Sequence, residues 1–195
     1  MAGSIRNGSS LAALLLLAGC VSLGGKVPRQ LIALTARNIA PAGTMAGGQV
    51  GDTLVVLDPD ADRRIDVQRV PVQIDESTVA YLKDATWIER PTHQFRRLLA
   101  ETIRARGKRM VAEGSDLDGR GHATLSGRLL DMGYDARSQS VVVRYDAIRR
   151  DDAGAIQSRR FEAVVPGVAP NVRAVAPALN TAANDVAVQV ADWIG

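Results

Sequence analysis

Read for its apolar positions, the chain begins with Leu31-Ile32-Ala33-Leu34-Thr35, a short strand-like run. Residues 40–48 carry Pro41, Gly43, Gly47 and Gly48 and predict a loop. Thr53-Leu54-Val55-Val56-Leu57 is continuous enough in apolar character for a strand buried on both faces. From Ile65 to Ile74 the alternation changes phase: Ile65 and Val67 share one phase, and Val70, Val72 and Ile74 the other. That pattern predicts a bulge near Gln68 and Arg69. Pro71 cannot donate a ladder hydrogen bond, so the stretch reads as a candidate edge strand. Val79–Leu82 and Thr86–Ile88 read as a hairpin around Lys83-Asp84-Ala85.

Helical spacing follows. Pro91 opens a helix whose Phe95, Leu98, Leu99, Thr102 and Ile103 fall on one face, and Gly107 is placed to end it. Arg96, Arg97, Glu101 and Arg104 form its solvated side. Alternation then returns. Met110-Val111-Ala112 is a short strand. Ala123, Leu125 and Leu129, then Val141, Val143 and Tyr145, then Phe161, Ala163 and Val165, mark three longer ones. Asp151-Asp152-Ala153-Gly154 is the turn between the last two. A final helix, about Val175 to Ile194, carries Val175, Leu179, Ala182, Val186, Val190 and Trp193 as its stripe. Pro177 confines its start to that neighbourhood. The expected architecture is α+β: a single domain, a mostly antiparallel sheet with two helices packed on one face.

The first thirty residues are of another kind. Arg6 is followed by an apolar run from Leu11 to Ala18, far short of the ~20 residues that span a bilayer. This is the pattern of a cleaved secretory signal. Leu17-Ala18-Gly19-Cys20 resembles the bacterial lipobox, in which the cysteine thiol accepts diacylglycerol. The bland alternative is a small buried cysteine after an apolar stretch. Cys20 is the chain's one cysteine, which excludes an intrachain disulfide. The predicted division is a signal peptide over 1–19, a lipidated tether over 20–30 with Gly24, Gly25 and Pro28, and a domain over 31–195. Val21 stands where Asp marks inner-membrane retention in lipoproteins of this kind, so the resemblance favours the periplasmic face of the outer membrane.

Composition fits this picture. The 195 residues are 46% hydrophobic and 23% charged, a globular balance. Aromatics are only 4%, so the core must be aliphatic. The net charge of +3 comes from interspersed signs and gives no basic face for nucleic acid. Candidate chemistry is sparse. Asp58, Asp60 and Asp62 begin like a calcium loop, but Arg63 occupies the glycine position and Arg69 that of the bidentate Glu. Asp116-Leu117-Asp118-Gly119 fails similarly. His93 and His122 lack the cysteines an ordinary zinc site would add. No nucleophile elbow or phosphate loop is present, and Ser115-Asp116 reads as a turn pair. No metal, cofactor or catalytic residue is expected.

One combination of motifs is specific by its order. A lipobox precedes Ile32-Ala33-Leu34-Thr35, then a Val-rich pair, then Trp87-Ile88-Glu89-Arg90-Pro91 before a helix, then three strands and a C-terminal helix. This resembles the ABC-type transport auxiliary lipoprotein family over about Leu31 to Ile194. The chain departs from it at Leu31 and Ile32, where a Tyr is usual, and lacks the usual Pro-Tyr-Leu. The resemblance implies a non-catalytic, periplasm-facing partner of an ABC system for lipids, docking an MCE-type bridge protein at the outer membrane. Trp87, Glu89 and Pro91 would be the family motif, with Trp87 at least half buried beside the first helix. The expected docking surface is the loop Pro41–Gly51 together with the bulged edge carrying Arg69, Val70 and Gln73. A homo-oligomer through that edge stays open. The competing class is a carrier holding a lipid in its own cavity; a hydrolase is a weaker third.

Overall fold

The computed structural model describes residues 30–44, 47, 53–114 and 122–195. Its axis is the 13-residue strand β6 (Ala123–Asp135), which we label in chain order with β1 (Leu54–Val56), β2 (Asp60–Ala61), β3 (Arg69–Gln73), β4 (Val79–Thr86) and β5 (Val111–Glu113) before it. Ala123, Leu125 and Leu129 are buried, then Met132 and Tyr134. The buried phase changes where pairing with β7 (Ser140–Arg150) slips between Leu129 and Asp131. That bulge keeps apolar side chains on the core face along the whole strand. β7 turns at Asp151–Gly154 into β8 (Ile156–Val165), completing the expected antiparallel meander. Gly154, at φ +90°, adopts the left-handed backbone that this turn needs.

On its other side β6 receives three short strands end to end. β1, β2 and β3 all run parallel to it. β5 is parallel to β1, and β4 is antiparallel to β3, giving a mixed eight-stranded sheet. The apolar run at 53–57 is explained by this. β1 lies between β5 and β6, and Leu54, Val55 and Val56 are all buried.

The helices are α1 (Pro91–Arg104) and α2 (Val172–Ile194), both on one face of the sheet. Phe95, Leu98, Leu99, Thr102 and Ile103 of α1 are buried as the spacing predicts. So are Val175, Leu179, Ala182, Val186 and Val190 of α2, while Trp193 is half-buried against Phe161. Phe95 meets the ring of Tyr145 edge-on, with centroids 5.3 Å apart. Among the described residues no helix is long and apolar enough to cross a membrane.

Four expectations need correction. The strand at Leu31–Thr35 contracts to a single parallel bridge between Ile32 and Trp87, because the backbone beyond Ile32 is bonded by helix side chains instead. Residues 83–85 are not a hairpin turn. β4 runs through them, and its pairing jumps from Tyr81–Pro71 to Thr86–Arg69, so residues 82–85 bulge, with Asp84 at φ +57°. The turn lies at 74–78, where the Asp75 carboxylate accepts from the amides of Ser77 and Thr78. The expected edge at Arg69, Val70 and Gln73 is interior: β3 has β4 on one side and β6 on the other, and Val70 is fully buried. Pro71 is tolerated there because the ladder with β4 shifts register between Arg69 and Pro71, a bulge where no amide is required, and Gly133, where a Cβ would come within 2.5 Å of the Pro71 carbonyl oxygen, leaves room for it. Finally, α2 starts well before Pro177. The Asn171 side chain caps it by accepting from the Ala174 amide at 3.1 Å. Pro177 then sits in the second turn at an exposed position and leaves the Arg173 carbonyl without a helical donor.

Candidate functional site

The motif Trp87-Ile88-Glu89-Arg90-Pro91 is the joint between sheet and helix. Trp87 is fully buried, well past the half burial expected, and its indole N–H has no partner among the described residues. Pro91 occupies the first position of α1, where a missing amide costs nothing. Glu89 pairs with Arg97, and its carbonyl accepts from the Gln94 side chain at 3.0 Å.

Gln94 introduces a feature that hydropathy alone did not reveal. Residues 31–40 form an extended strap along the seam of the two helices, held by their polar side chains. The Leu34 amide donates to Gln94 Oε1 at 2.9 Å and the Thr35 amide to Asn180 Oδ1 at 2.9 Å. The Arg37 amide donates to Asn184 Oδ1 at 2.7 Å, and Asn184 Nδ2 returns a bond to the Thr35 carbonyl. The Ala40 amide donates to Glu101 Oε1 at 2.8 Å. Gln94 and Asn184 are only 2% exposed, yet each is satisfied, as buried amides must be. The one sequence sign was polar residues interrupting apolar helix faces. Glu101, taken as part of a solvated face, is a clamp for the strap.

The opposite face of the sheet carries a ladder of charges. Arg64, Asp131, Arg144 and Glu162 are linked in turn across β6, β7 and β8. Beside them Arg160 holds Asp146 by two bonds of 2.6 and 2.7 Å. The Arg160 hydrogen bonds keep the Asp146 carboxyl below its ordinary range, and the pairing raises Arg160 in return. Next to this ladder lies a surface cleft of about 400 Å³, lined by Arg64, Gln73, Asp75, Asp131, Arg137 and Arg144 among others. Burial raises the Tyr145 phenol, whose hydroxyl donates to the Ser126 carbonyl at 2.8 Å.

β8 supplies a long open edge, while β4 and the short β5 also have one strand neighbour each. The Asp151 amide donates to the Ala155 carbonyl at 3.0 Å, which makes those two a hydrogen-bonded pair. Alternation along the ladder then turns the backbone groups of Gln157, Arg159, Phe161 and Ala163 toward β7. Those of Ser158, Arg160, Glu162 and Val164 point away. Gln189 of α2 reaches one of them, the Glu162 carbonyl, at 3.1 Å. No strand pairs with that side among the described residues. Ile156 and Val164, 63% and 48% exposed, stand near its two ends.

The other sequence candidates disperse. Arg69 lies over the Tyr81 ring at 3.9 Å, and the Gln73 side-chain amide donates to the Asp75 carbonyl at 2.6 Å. Asp58 faces His93 and Arg96, at 3.7 and 3.2 Å, while Asp62 pairs with Arg128. Among the described residues no group of three or more His, Cys, Asp or Glu could hold a metal. Leu17, Ala18, Gly19 and Cys20, the tether up to residue 29, most of the loop Pro41–Gly51, and Ser115 to Gly119 lie outside the described residues.

A family model described as the ABC-type transport auxiliary lipoprotein component matches residues 34–191, from the strap to the last turn of α2. The chain belongs to this family. The family is that of a lipoprotein component auxiliary to ABC-type transport. No curated protein matches the chain. Two crystal structures share the fold. One is a Xanthomonas campestris protein of the DUF330 family, 21% identical, covering 84% of this chain and 94% of its own, with a TM-score of 0.69. The other is an uncharacterised protein, 12% identical, covering 85% and 100%, with a TM-score of 0.64.

Proposed function

We propose that this auxiliary lipoprotein is held at the periplasmic face of the outer membrane by lipid on Cys20 and docks an MCE-type protein that bridges the periplasm for an ABC lipid-transport system. Its part is non-catalytic. The lipobox Leu17-Ala18-Gly19-Cys20 and the Val21 that follows it support the anchor and the membrane. The observation that carries docking is β8: a 10-residue strand bonded on one side only, with a row of outward backbone groups and apolar residues near both ends. Such an edge accepts an extended partner segment by main-chain bonding. It takes the place of the edge expected at Arg69, Val70 and Gln73.

The carrier reading needs an enclosed apolar pocket. Between helices and sheet that space is filled by Leu179, Val186, Val190, Phe95 and Leu99, all fully buried. The cleft on the outer face is open and lined with charges.

Photoreactive residues at Ser158 and Val164, with Arg97 on α1 as control, test docking in intact cells. Capture of the MCE-type protein from β8 is expected. Capture from position 97 with both β8 positions silent rejects edge docking. Radiolabelled palmitate should enter the wild-type chain and not Cys20→Ala; label in the variant rejects the anchor.

A further inference from the structure

The strap leaves the domain at one place, and the surface around that place is unlike the rest. In the parallel bridge between Ile32 and Trp87, the Ile32 amide donates to the Thr86 carbonyl and the Ile88 amide to the Ile32 carbonyl. Strand alternation therefore puts Leu31, Ala33 and Ile88 on the face opposite buried Ile32 and Trp87. Leu31 is 50% and Ile88 53% exposed. A groove of about 510 Å³ runs between Leu31, Ala33 and the first turns of α2, lined there by Arg173, Ala176 and Pro177. Pro177 and Arg173 are exposed, and Arg173 has no carboxylate partner among the described residues. Apolar side chains beside an unpaired cation suit the boundary between acyl chains and anionic headgroups.

The length of chain beyond this point decides the occupant. Residues 21–29 separate Gln30 from Cys20. Fully extended, that tether reaches roughly 35 Å. As a flexible coil it averages about 17 Å. A domain of this size is on the order of 40 Å across. A short tether therefore cannot let the domain turn its attachment side fully away from the bilayer.

We propose that the surface of Leu31, Ala33, Ile88, Pro177 and Arg173 rests on the phospholipid headgroups of the anchoring membrane, which sets the orientation of the domain. This rests on the reading of Cys20 as the lipidated residue. The phospholipid surface holds the domain in one pose, where the tether alone would let it swing.

The test uses the full lipidated chain in vesicles of phosphatidylethanolamine and phosphatidylglycerol. A nitroxide is placed by Ile88→Cys or, as control, by Ser158→Cys. Acylated Cys20 cannot take the label, so each protein carries one probe. Collision with membrane-dissolved oxygen is compared with collision with an aqueous nickel chelate. The oxygen-to-nickel ratio should be severalfold higher at position 88 than at 158. Combining Leu31→Asp with Arg173→Glu, both at exposed positions, should erase the difference without unfolding the domain. Equal ratios at the two positions, or a higher one at 158, overturn the proposal while leaving the anchor standing. Protein that fails to float with the vesicles overturns both, and so separates the two failures.

Discussion

The two sides of the sheet handle polar groups in opposite ways. On the helix side, the amides of Leu34, Thr35, Arg37 and Ala40 enter the seam between α1 and α2, and each meets a side chain placed for it. On the β8 side, the outward backbone groups of Ser158, Arg160 and Val164 meet no strand among the described residues, and the charges around them pair across the exposed surface. The difference lies in the cost of leaving a group unpaired. In the seam the Gln94 and Asn184 side chains are buried, and leaving either unsatisfied costs about 1–3 kcal/mol. At the edge water takes its place at little cost, so the edge can wait for a partner. One side is therefore specified by its own chain, and the other is available to another chain.

That comparison is broken most severely at Trp87, where strap, sheet and α1 meet. Trp87→Ala should cost about 3–5 kcal/mol of stability by cavity formation. Chemical denaturation measures it, and a variant that melts with the wild type contradicts the packing role. The seam is next. Asn184→Ala strands the Arg37 amide and the Thr35 carbonyl and should cost about 1–3 kcal/mol. It should also make residues 31–40 the first site of limited proteolysis. An unchanged cleavage pattern would mean that the strap does not depend on its clamps.

The smallest effect is expected on the outer face. Asp146 titrates below its ordinary value of 3.8 because Arg160 holds it. Its contribution is present above that ordinary value and is lost as pH falls through the lower, folded value. Arg160→Ala should therefore leave the melting temperature at neutral pH close to wild type and flatten its dependence on pH below about 4. Carboxyl chemical shifts of Asp146 followed through the titration check the sign; a midpoint that falls in the variant contradicts it.

The helices, the meander and the buried run of β1 were legible because each is a local pattern. A 3.6-residue or two-residue period records which face meets the core, whatever that core is. The turn at Asp151–Gly154 and the start of α1 at Pro91 were legible for the same reason: φ preferences act on their own residue. Pro71 was misread because its one local property, the missing amide, marks edges in general. Here the exemption comes from the register shift between β3 and β4 at Arg69 and Pro71, which exists only once the two strands pair. Asn184 and Gln94 were passed over because an amide among apolar residues has no partner in its own helix pattern.

By itself the sequence determined the α+β class, the two helix faces and the antiparallel meander of the second half. It also holds Leu17-Ala18-Gly19-Cys20, the string that resembles a lipobox. These depend on periodicity, backbone preference or a short contiguous string. Only the tertiary structure decided that β1, β2 and β3 line up parallel along β6, that Val70 is interior, and that β8 lies at an edge, as β4 and β5 do. It alone laid the strap across the helices. Strand neighbours are chosen by long-range pairing, in which similar apolar strands compete for the same place, and no local preference records which of them is left at the edge.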